Sequence, residues 1–185
     1  MGQKTNRMPM SDRPIAITDI ETTGLDPDTH EIIEIGLVLV DQKTLEILDT
    51  YEVKVRPEHL ETAQPEALKV NGYDPADWQN AVPLAAAMAE YARRTRDAIF
   101  LAHNVSFDWP FVAKAFRKTG VRDEMSYHRL CNMSGARFLL HNKGLANFKQ
   151  NQVAEFLGLE PEPEVHRALN GAMLAYQVFR ILNGM

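Results

Sequence analysis

Asp19 and Glu21 stand one residue apart at the end of a short β-branched run, Ile15-Ala16-Ile17-Thr18-Asp19-Ile20. Residues two apart in a strand project from the same face, so the two carboxylates point together. Adjacent carboxylates repel, and a divalent cation between them relieves the repulsion. The alternative is a strand end that surfaces into solvent, where Asp and Glu are common. Asp108 is a second candidate, closing His103-Asn104-Val105-Ser106-Phe107-Asp108 after an apolar run that ends at Ala102. Open α/β sheets place ligand-binding groups at the carboxyl ends of their strands. Trp109-Pro110 follows, and proline favours the first helical turn, so Asp108 is equally placed to cap a helix. His166 is the third, opening an apolar-periodic stretch after Glu160-Pro161-Glu162-Pro163-Glu164. Imidazole is the commonest general base; the alternative is a surface histidine at a helix start. His30, His59, His128 and His141 lack such a context and are read as structural.

The elements that must position these groups follow from periodicity. Residues 15–20 read as a buried strand, followed by turn chemistry at Thr22-Thr23-Gly24 and Asp26-Pro27-Asp28. Apolar or alternating runs at 32–40 and 47–55, separated by Asp41-Gln42-Lys43-Thr44, predict an antiparallel hairpin, and with the first strand a meander. Helical spacing then marks 62–70 and 82–94, a fourth strand 98–102, and further helices 107–118, 129–140, 146–157 and 166–182. A meander followed by strand–helix alternation predicts an α/β fold, a mixed sheet covered by helices.

Length and composition bound the rest. The 185 residues suit a single domain, read as 14–185 behind a flexible tail at 1–13. Hydrophobic residues at 45% and charged residues at 24% exclude wholesale disorder. No run approaches the roughly 20 apolar residues that span a bilayer, so no membrane partner is expected. The start of the chain lacks the apolar stretch of a secretory signal. With Cys131 the only cysteine, neither an internal disulfide nor a cysteine-based zinc site can form, and a cytoplasmic address is the default expectation. The net charge of −5 hides an asymmetry: −10 over 1–90, +7 over 91–149 and −2 over 150–185. The basic middle segment is compatible with a phosphate-binding face, and equally with solvated helix surfaces.

Taken together, Asp19, Glu21, Asp108 and His166 in their local sequences resemble the DEDDh class of 3′–5′ exonucleases, the DnaQ-like family of proofreading subunits, RNase T and oligoribonucleases. The resemblance covers about residues 14–183. Asp19-Ile20-Glu21-Thr22-Thr23-Gly24-Leu25-Asp26-Pro27 with Ile32-Ile33-Glu34-Ile35-Gly36 matches the family's first motif. His103 to Asp108 matches the second, and His166-Arg167-Ala168-Leu169 begins the third. The resemblance implies a ribonuclease H-like fold with a mixed five-stranded sheet flanked by helices. It implies a hydrolase that releases 5′-mononucleotides from the 3′ end of single-stranded DNA or RNA, with two Mg²⁺ or Mn²⁺ ions.

By carry-over, Asp19, Glu21 and Asp108 would hold the metal and His166 would take the proton of the attacking water. Thr22, Thr23 and Leu25 would contact the terminal nucleotide, with Asn104 and Phe107 as further substrate candidates; Phe107 also continues an apolar helix face. RNase T-like relatives make a homodimer an expectation. The family's last metal-binding Asp, five positions after the histidine, is here Gly171, with Asn170 beside it. Losing one anionic ligand from a hard-cation site implies weakened activity. It also leaves open a different class of function, a non-catalytic module that binds nucleic acid or a partner on the same fold.

Overall fold

The computed structural model of the chain describes residues 8–185. Strands β1 (Ile15–Thr22), β2 (Ile32–Val40) and β3 (Ile47–Lys54) form the expected antiparallel meander. Strands β4 (Ile99–Ala102) and β5 (Arg129–Cys131) continue the sheet in parallel, giving the order β3-β2-β1-β4-β5. β1 is therefore central and buried on both faces, which is why its apolar run is continuous rather than alternating. The helices are α1 (Pro65–Val70), α2 (Leu84–Arg94), α3 (Val105–Thr119), α4 (Asn132–Leu140), α5 (Gln150–Phe156) and α6 (Ala168–Asn183).

The pleat of β1 sorts its side chains between two cores. Ala16 and Ile20 pack with Met88 and Tyr91 of α2 and with Phe111 and Val112 of α3. Ile15 and Ile17 pack on the opposite face against Ala172, Ala175 and Tyr176 of α6. α4 and α5 form an outer layer on α6 through Ala136, Leu140, Val153, Leu174 and Val178. The same alternation carries Asp19 and Glu21 to the α6 side of the sheet. Gly36 lies opposite Asp19 on β2. A Cβ there would run into the backbone carbonyl of Ala168, so only glycine lets the start of α6 approach this closely.

Several boundaries differ from the periodicity reading. The stretch 129–140 is helical only from Asn132; Arg129-Leu130-Cys131 is the fifth strand. Three residues carry no readable period, and their strand character comes from pairing with β4. The helix expected from 107 begins at Val105 with Asn104 as its N-cap, and Pro110 is its sixth residue. Asp108 lies inside the helix, so the capping role considered for it is not the one it has. The last helix starts at Ala168, leaving His166 in the loop before it. The stretch 62–70 resolves into a 3-10 turn at Leu60–Thr62 and the short α1. Of the expected tail, residues 1–7 lie outside the described residues. Its remainder includes a 3-10 turn at Met10–Asp12, and Arg13 Nη1 donates to the Asp97 carbonyl at 2.7 Å. Among the described residues, no helix is long and apolar enough to cross a membrane.

Candidate active site

A cleft of about 510 Å³ opens where β1 ends, and Asp19, Glu21, Thr22, Leu25, Phe107 and His166 all line it. Its far wall comes from α1 and from the loop before α6. Two backbone hydrogen bonds hold that wall: Gln64 N–H donates to the Thr23 carbonyl at 2.8 Å, and His166 N–H to the Val70 carbonyl at 3.0 Å. Asn71 ties the two motifs further. Its side-chain amide donates to the Thr22 carbonyl at 3.0 Å, and its own carbonyl accepts Arg167 Nη1 at 2.5 Å. A histidine 145 positions after Glu21 in the chain is thereby brought to the same cleft.

The carboxylates that line this cleft, together with Asp108 and Glu34, which do not line it but act on Asp19 through their charge, are poorly solvated and crowd one another. Burial, followed by the charges of Asp108, Glu21 and Glu162, pushes the Asp19 carboxyl well above the usual carboxylate range. Burial and the charges of Glu162 and Glu34 push Glu21 up to about 8, against the opposing pull of Arg167. Asp108, only 4% exposed, is raised to about 8 by burial, with the backbone N–H groups of Ile20 and of its own residue acting the other way. Glu34, paired across the strands with Glu21, is raised to about 7 by burial and by Glu52. Buried acids that also repel one another gain most from a bound cation.

The donor chemistry fits a hard divalent ion. One ligand atom each from Glu21, Glu162 and His166 lie within 4.8 Å of one another, and the Asp19 carboxylate belongs to the same cleft. Carboxylate oxygens are what Mg²⁺ and Mn²⁺ prefer. Glu162 Oε1 is buried without a hydrogen-bond partner, and a cation at this position would satisfy it.

The remaining sequence candidates divide. Leu25 is 71% exposed at the cleft rim, and Phe107 lines the cleft while also packing on Phe111 at 5.3 Å between ring centroids. Thr22 lines the cleft, but its hydroxyl is committed to the Gly24 carbonyl at 2.7 Å. Thr23 is fully buried; its hydroxyl accepts the Glu31 N–H at 2.9 Å and closes the turn, so its side chain does not line the cleft. Asn104 caps α3 through its carbonyl, which accepts Phe107 N–H at 2.8 Å, and is likewise absent from the cleft wall. Gly171 sits in the first turn of α6 facing Asp19: a Cβ there would meet the Asp19 Oδ2 and lie 2.7 Å from its Cγ.

Cleft residues without a chemical motif went unread in the sequence. Gln64, Asn71, Lys149, Gln150 and Glu162 all line the cleft. Gln150 is anchored there by donating to the Gly171 carbonyl at 2.8 Å. Only Glu162 had a signal, its place between two prolines four residues before His166.

The basic segment is also less available than its charge suggests. Of its eleven Lys and Arg, Arg93, Arg94, Arg96, Lys118, Arg122 and Arg129 pair with carboxylates. Lys114 donates to the carbonyls of Pro27 and Asp28. Among the described residues that leaves Arg117, Arg137, Lys143 and Lys149 outside such pairs, with Lys149 in the cleft.

A mixed sheet of this order flanked by helices is the ribonuclease H-like fold, and here it carries acids at the carboxyl end of its central strand and a histidine before its last helix. The Exonuclease family model (RNase T) matches residues 16–179, and the chain belongs to that family. It is similar to the DNA polymerase III PolC-type of Thermotoga maritima, 31% identical over 169 residues, covering 91% of this chain and 12% of that protein. A 3′-5′ exonuclease DinG of Staphylococcus aureus is 34% identical over 112 residues, covering 58% of this chain and 12% of that one. The chain thus spans about an eighth of the length of these relatives. Among solved structures, E. coli Exonuclease I in complex with a dT13 oligonucleotide superposes with a TM-score of 0.76 at 16% identity, over 92% of this chain and 41% of that one. The nuclease domain of 3′hExo, a DEDDh family member bound to rAMP, gives 0.73 at 19% identity, over 92% of both chains.

Proposed function

We propose that the chain is a metal-dependent 3′–5′ exonuclease that releases 5′-mononucleotides from the 3′ end of a single strand of DNA or RNA. The observation that carries this reading is the convergence of Asp19, Glu21 and His166 on one cleft, with buried Asp108 behind them. Asp19, Glu21 and Asp108 would hold Mg²⁺ or Mn²⁺. When bound, such ions lower the barrier to water attack and offset charge on the phosphate and the leaving oxygen. His166 lies with Nδ1 3.9 Å from Glu162 Oε2, which leaves Nε2 to accept the proton of the attacking water. The new bond joins water oxygen to phosphorus, the bond from phosphorus to the neighbouring O3′ breaks, and solvent returns a proton to that oxygen. Leu25 and Phe107 offer apolar surface to the terminal base, a sequence-tolerant form of contact.

Gly171 supports a second reading, a binding module that retains the fold without turnover. The test is a 5′-labelled single-stranded oligonucleotide incubated with Mn²⁺ and, separately, Mg²⁺. Stepwise shortening from the 3′ end is expected, abolished in Asp19→Ala and lowered about 10²–10⁴-fold in His166→Ala, the usual size of general-base catalysis. Binding without shortening at stoichiometric protein would establish the module instead.

A further inference from the structure

We propose that Glu162 supplies the carboxylate that Gly171 lacks, delivered to the metal site from the loop before His166 rather than from α6. The inference rests on the metal-site reading above. At 171 no side chain can project while Asp19 keeps its conformation, because a Cβ there would collide with the Asp19 carboxylate. The α6 start therefore has no acid to offer: Asn170 is exposed and lines a separate hollow with Glu34 and Arg167.

Glu162 fills the gap from the other side. Its side chain is 8% exposed, while its acidic neighbours Glu160 and Glu164 are exposed residues. It reaches within 4.8 Å of ligand atoms of both Glu21 and His166. Its backbone N–H donates to Asn151 Oδ1 at 3.0 Å, and Pro161 and Pro163 restrict the backbone on either side, so the carboxylate is held rather than swung in. One oxygen, Oε2, lies 3.9 Å from His166 Nδ1, and the Arg167 backbone N–H also favours the ionised carboxylate; the other oxygen, Oε1, is buried with no hydrogen-bond partner. Burying a carboxylate oxygen unpaired among other carboxylates is costly unless a cation completes the set. A purely structural partner for His166 needs only one of the two oxygens.

The experiment is Mn²⁺ binding to the full chain, stripped with EDTA and dialysed, followed by calorimetry and by the paramagnetic signal of free Mn²⁺. Glu162→Gln should weaken Mn²⁺ affinity at least tenfold, while its melting temperature in EDTA matches or exceeds the parent's, since a buried carboxylate crowded by other acids has been removed. Glu164→Gln, on the exposed neighbour, should bind as the parent does. Moving the carboxylate back, in the double variant Glu162→Gln with Gly171→Asp, should recover part of the affinity, because Asp19 must turn to admit the new side chain. If Glu162→Gln folds poorly, the charge-preserving Glu162→Asp, one methylene shorter, still reports a loss of affinity at intact charge. Glu162→Gln binding Mn²⁺ like the parent, while Asp19→Asn does not, would overturn the role of Glu162 and leave the metal site standing. No Mn²⁺ binding by the parent, or binding that Asp19→Asn leaves unchanged, would overturn both.

Discussion

The Asp19 carboxylate occupies the space that a side chain at Gly171 would need, so restoring the expected acid must also move the acid that is present. Gly171→Asp, the substitution that restores the family pattern, consequently does more than add a ligand. It sets a second buried carboxylate against Asp19, with both overpacking and like-charge repulsion. In EDTA the variant should be less stable than the parent by about 1–3 kcal/mol in urea unfolding. Saturating Mn²⁺, which binds only the folded state, should narrow or reverse that difference. Equal stability in EDTA would mean that Asp19 moves aside without cost.

At the scale of elements, the cleft depends on two close approaches. α1 is only six residues long, yet its ends connect the turn after β1 to the loop that carries His166 through the Gln64, Asn71 and Val70 hydrogen bonds. On the other side, α6 meets β2 at Gly36, directly across from Asp19. Gly36→Ala would drive a methyl group into the Ala168 backbone, which cannot rotate away as a flexible side chain can. The expected loss is about 1–3 kcal/mol, read as a lower urea midpoint with an unchanged slope. Because α6 starts there, the same variant should bind Mn²⁺ more weakly. A variant as stable as the parent would show that α6 can slide on the sheet.

Over the whole molecule, charge and protonation make two further predictions. Glu21 gives up its proton near 4.5 in the unfolded chain but only near 8 in the folded one. The folded state thus binds more protons between those values, and this group's contribution to stability falls as pH rises through that window. In EDTA, Glu21→Gln should match the parent at pH 4 and exceed it at pH 8 by on the order of 1–4 kcal/mol. A difference that does not open with pH would mean that Glu21 is better solvated than its burial implies. The second concerns salt. With most of the basic segment engaged internally, single-strand affinity measured on Asp19→Ala should fall with log salt at a slope of about −2 to −3, as for three or four phosphate contacts. A slope near −7 would show that the internal pairs open to meet the strand.

How much of this was legible follows from what each feature depends on. The meander, the central buried strand and the same-face placement of Asp19 and Glu21 are local consequences of the two-residue period, and each is readable in the chain. Asp19, Glu21, Asp108 and His166 stand out in short contiguous patterns, and the structure brings Asp19, Glu21 and His166 to one cleft. β5 was not readable, since three residues have no period and become a strand only by pairing with β4. Nor was the commitment of Thr23 to its turn, or the pairing of the basic segment with Asp49 of β3, Glu58 of the following loop, Glu90 of α2 and its own Asp123 and Glu124. Glu162 is the clearest case. In the chain it is one acid among three in a proline-rich loop, marked only by its place between two prolines. Its burial, its unpaired oxygen and its distance to Glu21 and His166 arise only when α1, β1 and α6 close around one cleft. Periodicity acts over a few residues, whereas desolvation and charge repulsion act through space between segments far apart in sequence, so the sequence determined the sheet and the motif, and the tertiary structure decided which carboxylates share a site.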